Sequence, residues 1–398
     1  MNAIPVTGEP VPELAEFDDL MSRLMGKWPV PGGQLAIARH DRLVYNRGFG
    51  FADLDAGVPV DPDARFRIAS NSKPITAVAI LQLVDSGDLT LDTKVFKLLE
   101  LEQPPNAPRD PRLDTITVEQ LLVHSGGWNS AAGYDPQYQP WTLFASHTLD
   151  AEVPAEAATI IRFMLGQPLD FDPGTLSAYS NFGFNVLGRV IEHLSGKSYE
   201  QFVIDNLLGP AGITTMALGG TRVEERAEGE VRYYPPPGLD LRPSVYPGGS
   251  YVPVGYGSYY MRAMDSHGGW IGRAQDQVRF ALAVDGTRGT GLLLPETVSK
   301  MESTARPPSA AAGAGNVKEA LGLGWNSVPG DGGYEWSHAG ALEGSNCAWL
   351  ARKPDGTTIA FSFNSLPTDY GSFFGEAISA LQSQLAATTS WPDIDLFD

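Results

Sequence analysis

A mixed α/β fold is predicted for this 398-residue chain, and three local patterns predict it. Eight of the ten residues from Ile75 to Val84 are apolar, too uniform for a surface helix, so the segment reads as a helix buried on all sides. A second helix is predicted from about Phe182 to Leu194, after the Pro173-Gly174 turn and stopped by Gly196. Near the C-terminus, Asp355-Gly356 stands between two strand-like runs in CAWLARKPDGTTIAFSFN, a strong hairpin signal.

Composition bounds the function. Hydrophobic residues make up 42% of the chain, with 8 Trp, 14 Tyr and 17 Phe, enough for one large domain or two lobes around a substantial core. No apolar run approaches a membrane span. The N-terminal stretch MNAIPVTGEPVPELAEFDDL has no basic region and no apolar core, which predicts a cytoplasmic enzyme. A net charge of −19 disfavours nucleic acid and anionic membrane as partners. The single cysteine, Cys347, excludes an internal disulfide and reads as a small core residue. The 44 Gly and 31 Pro are dense between Gly219 and Gly269, a stretch that reads equally as a pinned surface excursion or as one wall of a cleft.

The chemistry is concentrated in Ser70-Asn71-Ser72-Lys73, the only Ser-x-x-Lys in the chain. At i and i+3 the two side chains share a helix face. A serine at a helix start has its developing alkoxide stabilised by free backbone N–H groups. A lysine one turn into an apolar helix is desolvated, which disfavours its ammonium form and makes it a proton acceptor. The bland alternative is a cap followed by a solvated lysine. Tyr179-Ser180-Asn181 is the only Tyr-x-Asn and lies on a loop before the second helix, where a phenol can be aimed into a cleft. His-x-Gly occurs three times, at His124, His267 and His338, and only the third copy, His338-Ala339-Gly340, follows a strand pattern and leads into a hairpin. No Gly-x-Ser-x-Gly, His-Glu-x-x-His, paired Cys-x-x-Cys, phosphate loop or dinucleotide fingerprint is present.

Ser-x-x-Lys, Tyr-x-Asn and [Lys/His]-x-Gly in this order resemble the signature of the penicillin-binding-protein-like serine hydrolases, in the branch of class C β-lactamases, family VIII carboxylesterases, D-aminopeptidases and D-amino-acid amidases. The resemblance extends to PGGQLAIARHDRLVYNRGFGFAD as a strand hairpin after an N-terminal helix, to the Gly87–Asp92 stretch and to Thr117–Trp128. It continues in a helix start within Gly268–Phe280, a strand at Leu321–Trp325 and a final amphipathic helix near Gly371–Ala386. It implies a β-lactamase/transpeptidase-like fold, an antiparallel sheet flanked by helices. Residues 1–83 and 265–398 would form the α/β lobe, and 84–264 an inserted helical and loop-rich lobe, with the site at their junction.

The implied mechanism is acyl transfer on Ser70, with Lys73 or deprotonated Tyr179 as base and Tyr179 protonating the leaving group. Asn181 would bond Lys73 or the substrate, and the oxyanion would lie between the N–H groups of Ser70 and Ala341. No metal or organic cofactor is needed. Substrate contacts are expected from His338 and Gly340, and from Trp128, Tyr134 and Tyr138 in the aromatic loop WNSAAGYDPQYQPW, for each of which ordinary loop packing competes. β-Lactamases usually carry lysine where this chain has His338, which is mostly neutral at pH 7. Small esters are therefore the leading substrates, with D-aminoacyl amides or peptides and β-lactams as alternatives. A non-catalytic ligand-binding relative is disfavoured by the intact Ser70, Lys73 and Tyr179. The oligomeric state is not legible.

Overall fold

In the computed structural model, which describes residues 4–130, 134–239, 241–310 and 322–397, both ends of the chain build one antiparallel sheet. The strand order is Val6–Thr7, Arg42–Asp53, Gly32–Arg39, Thr357–Phe363, Asn346–Arg352, Gly333–Leu342 and Asn326–Gly330. The N-terminal hairpin joins the C-terminal one through Gly32–Arg39 and Thr357–Phe363, in a register running from Arg39 opposite Thr357 to Gly33 opposite Phe363. The predicted turn is present, with Gly356 at φ +86°, a conformation that favours glycine.

Residue size alternates with period two and decides what covers each face. Leu35 and Ile37, with Trp349, Ile359, Phe361 and Phe363, face the helices Ala15–Lys27 and Tyr370–Ala387, which pack there through Phe17, Met21, Phe373 and Leu381. Cys347 is buried in this layer, as a core residue. On the other face, Ala36, Ala38 and Ala360 leave room for the Ala274–Val284 helix to approach closely through Val278 and Ala281.

The Ser72–Asp85 helix is buried from Ser72 to Leu81 and packs on the Asn181–Ser195 helix, with Gly196 closing the latter at φ +67° as expected. Leu121, Ile160 and Phe163 complete this helical layer, and a continuous apolar cluster joins it to the sheet. The strand expected at Leu321–Trp325 is not formed over its described residues: Leu321 lies outside them, and Gly322 and Gly324 have φ of +104° and +72°, which bends the chain until Asn326. Among the described residues no helix is long and apolar enough to cross a membrane.

Candidate active site

Ser70 lies in a short 3-10 turn, Ala69–Asn71, just ahead of the Ser72–Asp85 helix rather than inside it. Ala69 has φ +46°, a left-handed conformation that costs a residue with a Cβ roughly 1–2 kcal/mol. Local bonds hold the turn: the Ser72 hydroxyl donates to Ala69 O at 2.7 Å, and Ile68 N–H donates to Trp270 O at 3.0 Å. The strand bearing the third motif presses on it. A Cβ built on Gly340 would overlap the Ile68 carbonyl oxygen and lie 3.1 Å from Ser70 N, so only glycine fits where the strand crosses the turn. Ala341 is the next residue on this strand, paired with Cys347 of the neighbouring one.

Lys73 is fully buried, and its Nζ lies 3.1 Å from Ser70 Oγ, 2.7 Å from Asn181 Oδ1 and 2.9 Å from His267 O. Burial lowers its pKa to about 7, and the Asp135 charge opposes the shift. Two of the three partners are oxygens that can only accept. Two N–H bonds are therefore committed to Asn181 and His267, and the remaining valence of the nitrogen points at Ser70. Protonated, Lys73 donates there; neutral, it offers Ser70 a lone pair. From the other side the Tyr179 hydroxyl donates to Ser70 Oγ at 2.6 Å. Burial raises the Tyr179 pKa, the Ser70 bond lowers it and Asp135 raises it. The residue is 43% exposed, so solvent tempers the shift, but its direction keeps Tyr179 a phenol at neutral pH.

His338 is buried on the same strand face as Gly340, and burial lowers its pKa to about 3, with the Lys73 charge acting in the same sense. Its Nδ1 lies 2.8 Å from Ala339 O, an oxygen that only accepts, which fixes Nδ1 as the protonated nitrogen of a neutral ring. It offers no fixed positive charge.

Three residues outside the predicted set complete the centre. Asp135 accepts from Asn181 Nδ2 at 2.7 Å and from Gln137 N–H at 3.0 Å. His124 accepts from Ser180 N–H at 3.2 Å and lies against the Tyr179 ring at 4.8 Å, so it sets the loop that aims the phenol. Burial keeps its ring neutral, as it does that of His267. All three His-x-Gly copies thus converge here: one backs Tyr179, one supplies a carbonyl to Lys73, and one crosses the serine turn. For His267 the signal in the sequence was the repeated tripeptide, and for His124 the tripeptide together with its place in the Thr117–Trp128 stretch.

The aromatic loop divides. Trp128 is a core residue, 6% exposed and packed on Phe182 at 4.7 Å and Phe96 at 6.2 Å, and not a cleft contact. Tyr134 meets Trp141 edge to face, ring centroids 4.4 Å apart, and donates to Met164 Sδ at 2.9 Å, which accounts for it by packing. Residues 131–133 of this loop lie outside the described residues. Tyr138 does line a cavity of about 570 Å³, together with Leu143, Val254, Tyr259 and Leu342. Val254, Tyr259 and Leu342 share an apolar cluster with Ala69, and Tyr138 packs against it, so the cavity adjoins the serine turn. Part of the Gly-rich and Pro-rich stretch, from Arg242 to Tyr259, therefore forms a cleft wall. No group of three or more His, Cys, Asp or Glu able to hold a metal occurs among the described residues.

Ser70, Lys73 and Tyr179 are thus brought together from two separate segments of the chain. The chain belongs to the beta-lactamase family, whose model matches residues 17–377. Protein flp of Staphylococcus aureus (strain MW2) is 28% identical over 196 residues, which are 49% of this chain and 36% of that protein; the match thus spans little more than a third of this relative. Esterase EstB of Burkholderia gladioli is 28% identical across 94% of this chain and 95% of its own length. The D-amino acid amidase from Ochrobactrum anthropi SV3, solved with D-phenylalanine, superposes with a TM-score of 0.70 over 94% of this chain and 98% of that one, at 21% identity, a likeness of fold.

Proposed function

We propose that this chain is a carboxylesterase that hydrolyses small esters through an acyl-enzyme on Ser70. The observation that carries the proposal is Ser70 Oγ, held 3.1 Å from Lys73 Nζ and 2.6 Å from the Tyr179 hydroxyl. Neutral Lys73 takes the Ser70 proton as Oγ attacks the carbonyl carbon, and Asn181 and the His267 carbonyl keep the amine aimed. The N–H groups of Ser70 and Ala341 receive the oxyanion. As the carbon–oxygen bond breaks, Tyr179 gives its proton to the leaving alkoxide and regains one from the Lys73 ammonium. Water then attacks the acyl carbon, loses a proton to the same pair, and releases the acid with Ser70 protonated.

Esters lead because they are the easiest acyl donors and because EstB resembles this chain over almost its whole length. The apolar cavity at Tyr138 suits an uncharged group on one side of the ester. The amidase fold keeps D-aminoacyl amides as the second reading. A β-lactam would have to place its carboxylate without help from neutral His338. We place the enzyme in the cytoplasm, acting on small molecules rather than nucleic acid or membrane, in keeping with its charge of −19. The division into a lobe of residues 1–83 and 265–398 and an inserted lobe of 84–264 is likewise proposed.

The test is a panel of p-nitrophenyl esters, D- and L-aminoacyl anilides and nitrocefin, assayed on wild type and Ser70→Ala with fluorophosphonate labelling alongside. Short esters should exceed nitrocefin by at least about tenfold in kcat/KM, about 1.4 kcal/mol of transition-state free energy. Turnover and labelling should both vanish in Ser70→Ala. Preference for an anilide or nitrocefin would replace the ester reading, and activity retained without Ser70 would end the hydrolase mechanism.

A further inference from the structure

Asn181 can face Lys73 with either end of its amide, since oxygen and NH2 have nearly the same shape, and only its neighbours choose between them. On one side stands Lys73 Nζ at 2.7 Å, and on the other an Asp135 carboxylate oxygen at 2.7 Å. With the oxygen toward the amine both contacts are hydrogen bonds. Turned over, the NH2 would oppose the amine and the carbonyl would oppose the carboxylate. Burial raises the Asp135 pKa above the ordinary carboxylate value, and the Gln137 N–H on Oδ1, the Asn181 amide, the Lys73 charge and the Ser130 hydroxyl act against that shift, in favour of the carboxylate.

The surroundings of Lys73 hold little other charge. Its own turn contributes the Ser70 hydroxyl, the Asn181–Ser195 helix contributes the Asn181 amide and the Phe184 ring, and the segment before Trp270 contributes the His267 carbonyl. The Tyr179 ring centre lies 4.7 Å away, and the His124, His267 and His338 rings are kept neutral by burial. The charge of Arg306 is felt at His124 and His338, and its guanidinium bonds Gly322 O and Trp325 O. Among the described residues, Asp135 is the one anion acting on the amine.

We propose that Asp135, which belongs to none of the three motifs, is a positioning residue of the proton-transfer centre: its carboxylate locks Asn181 with the oxygen toward Lys73 and is the counter-charge to the Lys73 ammonium. The inference rests on the reading of Lys73 as the base. Its sign follows directly. Removing the carboxylate leaves the ammonium without a counter-charge, so the proton departs more readily and the acid limb of the rate profile moves to lower pH.

The test is kcat/KM against pH for a short p-nitrophenyl ester, with the pH dependence of Ser70 phosphonylation by a fluorophosphonate as a second readout. In Asp135→Asn the acid limb should move down by at least about 0.5 pH unit, and the plateau should fall at least about tenfold as Asn181 loses its fixed orientation. Asp135→Glu, which keeps the charge, should return the limb toward its wild-type position. If thermal unfolding shows that Asp135→Asn does not fold, Asp135→Ser, neutral and smaller, takes its place with the same expectation. A lower plateau with the limb unmoved, or a limb displaced upward, overturns the inference. A wild type lacking any acid limb, or active without Ser70, would instead defeat the reading on which the inference rests.

Discussion

Replacing Lys73 by methionine, close in volume and unable to ionise, measures the feature on which the mechanism depends. Lys73 is fully buried with a pKa of about 7, whereas in the unfolded chain it titrates near its ordinary value of about 10.4. Between these values the unfolded state holds a proton that the folded state has lost. Stability then rises with pH, at about 1.4 kcal/mol per pH unit, and the penalty for the buried ammonium is fully present only below about pH 7. From pH 7 to 9.5 the wild type should gain roughly 3 kcal/mol on Lys73→Met. The variant leaves Asn181 Oδ1 and His267 O without their donor, at ~1–3 kcal/mol each, but this cost does not vary with pH. The other titrating groups largely cancel in the difference. Urea unfolding of both proteins at about pH 7, 8 and 9.5 reads it out. A difference constant to within about 0.5 kcal/mol would show that Lys73 keeps an ordinary proton affinity, and the base would have to be sought elsewhere.

Two other outcomes follow from the geometry. Gly340→Ala drives a Cβ into the Ile68 carbonyl and toward Ser70 N, so the turn or the strand must move; kcat/KM should fall at least about 100-fold, with a stability loss of about 1–3 kcal/mol by chemical denaturation, and near-wild-type turnover would contradict the crossing of strand and turn. His338→Lys should raise the nitrocefin-to-ester ratio of kcat/KM by up to about tenfold, as a charge-assisted bond to a carboxylate becomes available; an unchanged ratio would mean that this position does not set acyl preference.

Ser70, Lys73, Tyr179 and His338 were legible because each sits in a short spacing whose chemistry is local, and because the order of the three spacings is itself informative. The helices at Ser72–Asp85 and Asn181–Ser195 were legible from apolar density and a closing glycine. Asp135 was not, since a lone acid in a loop gives no sign that its oxygen will meet Asn181 from another segment. The His267 contribution is a backbone carbonyl, which any residue could supply, and that of His124 is a ring face and a lone pair. Trp128 and Tyr138 illustrate the same limit from the other direction: both stand in one aromatic loop, yet Trp128 fills the core beside Phe182 while Tyr138 borders a cavity. Which way a loop aromatic turns is decided by distant partners, and those are invisible at short range. The Leu321–Trp325 expectation failed for a local reason, because two glycines in left-handed conformation interrupt an otherwise strand-like run.

The site is organised around keeping one amine short of charge. The direct partners of Lys73 are three neutral oxygens, and two of them have a further partner: Asn181 bonds Asp135, and Ser70 accepts from the Tyr179 hydroxyl. The imidazoles nearby are held neutral by burial, so the surrounding basic groups do not themselves take up the proton that Lys73 loses. Neutral His338 adds no charge beside this amine, whereas a lysine in the third motif would add a second cation whose field reaches Lys73. An added cation at position 338 would push the Lys73 proton off still earlier, so a gain in carboxylate binding by His338→Lys should come with an acid limb displaced to lower pH. Selectivity and the proton affinity of the base are then coupled through the same small volume, and substitutions at the third motif should move both together.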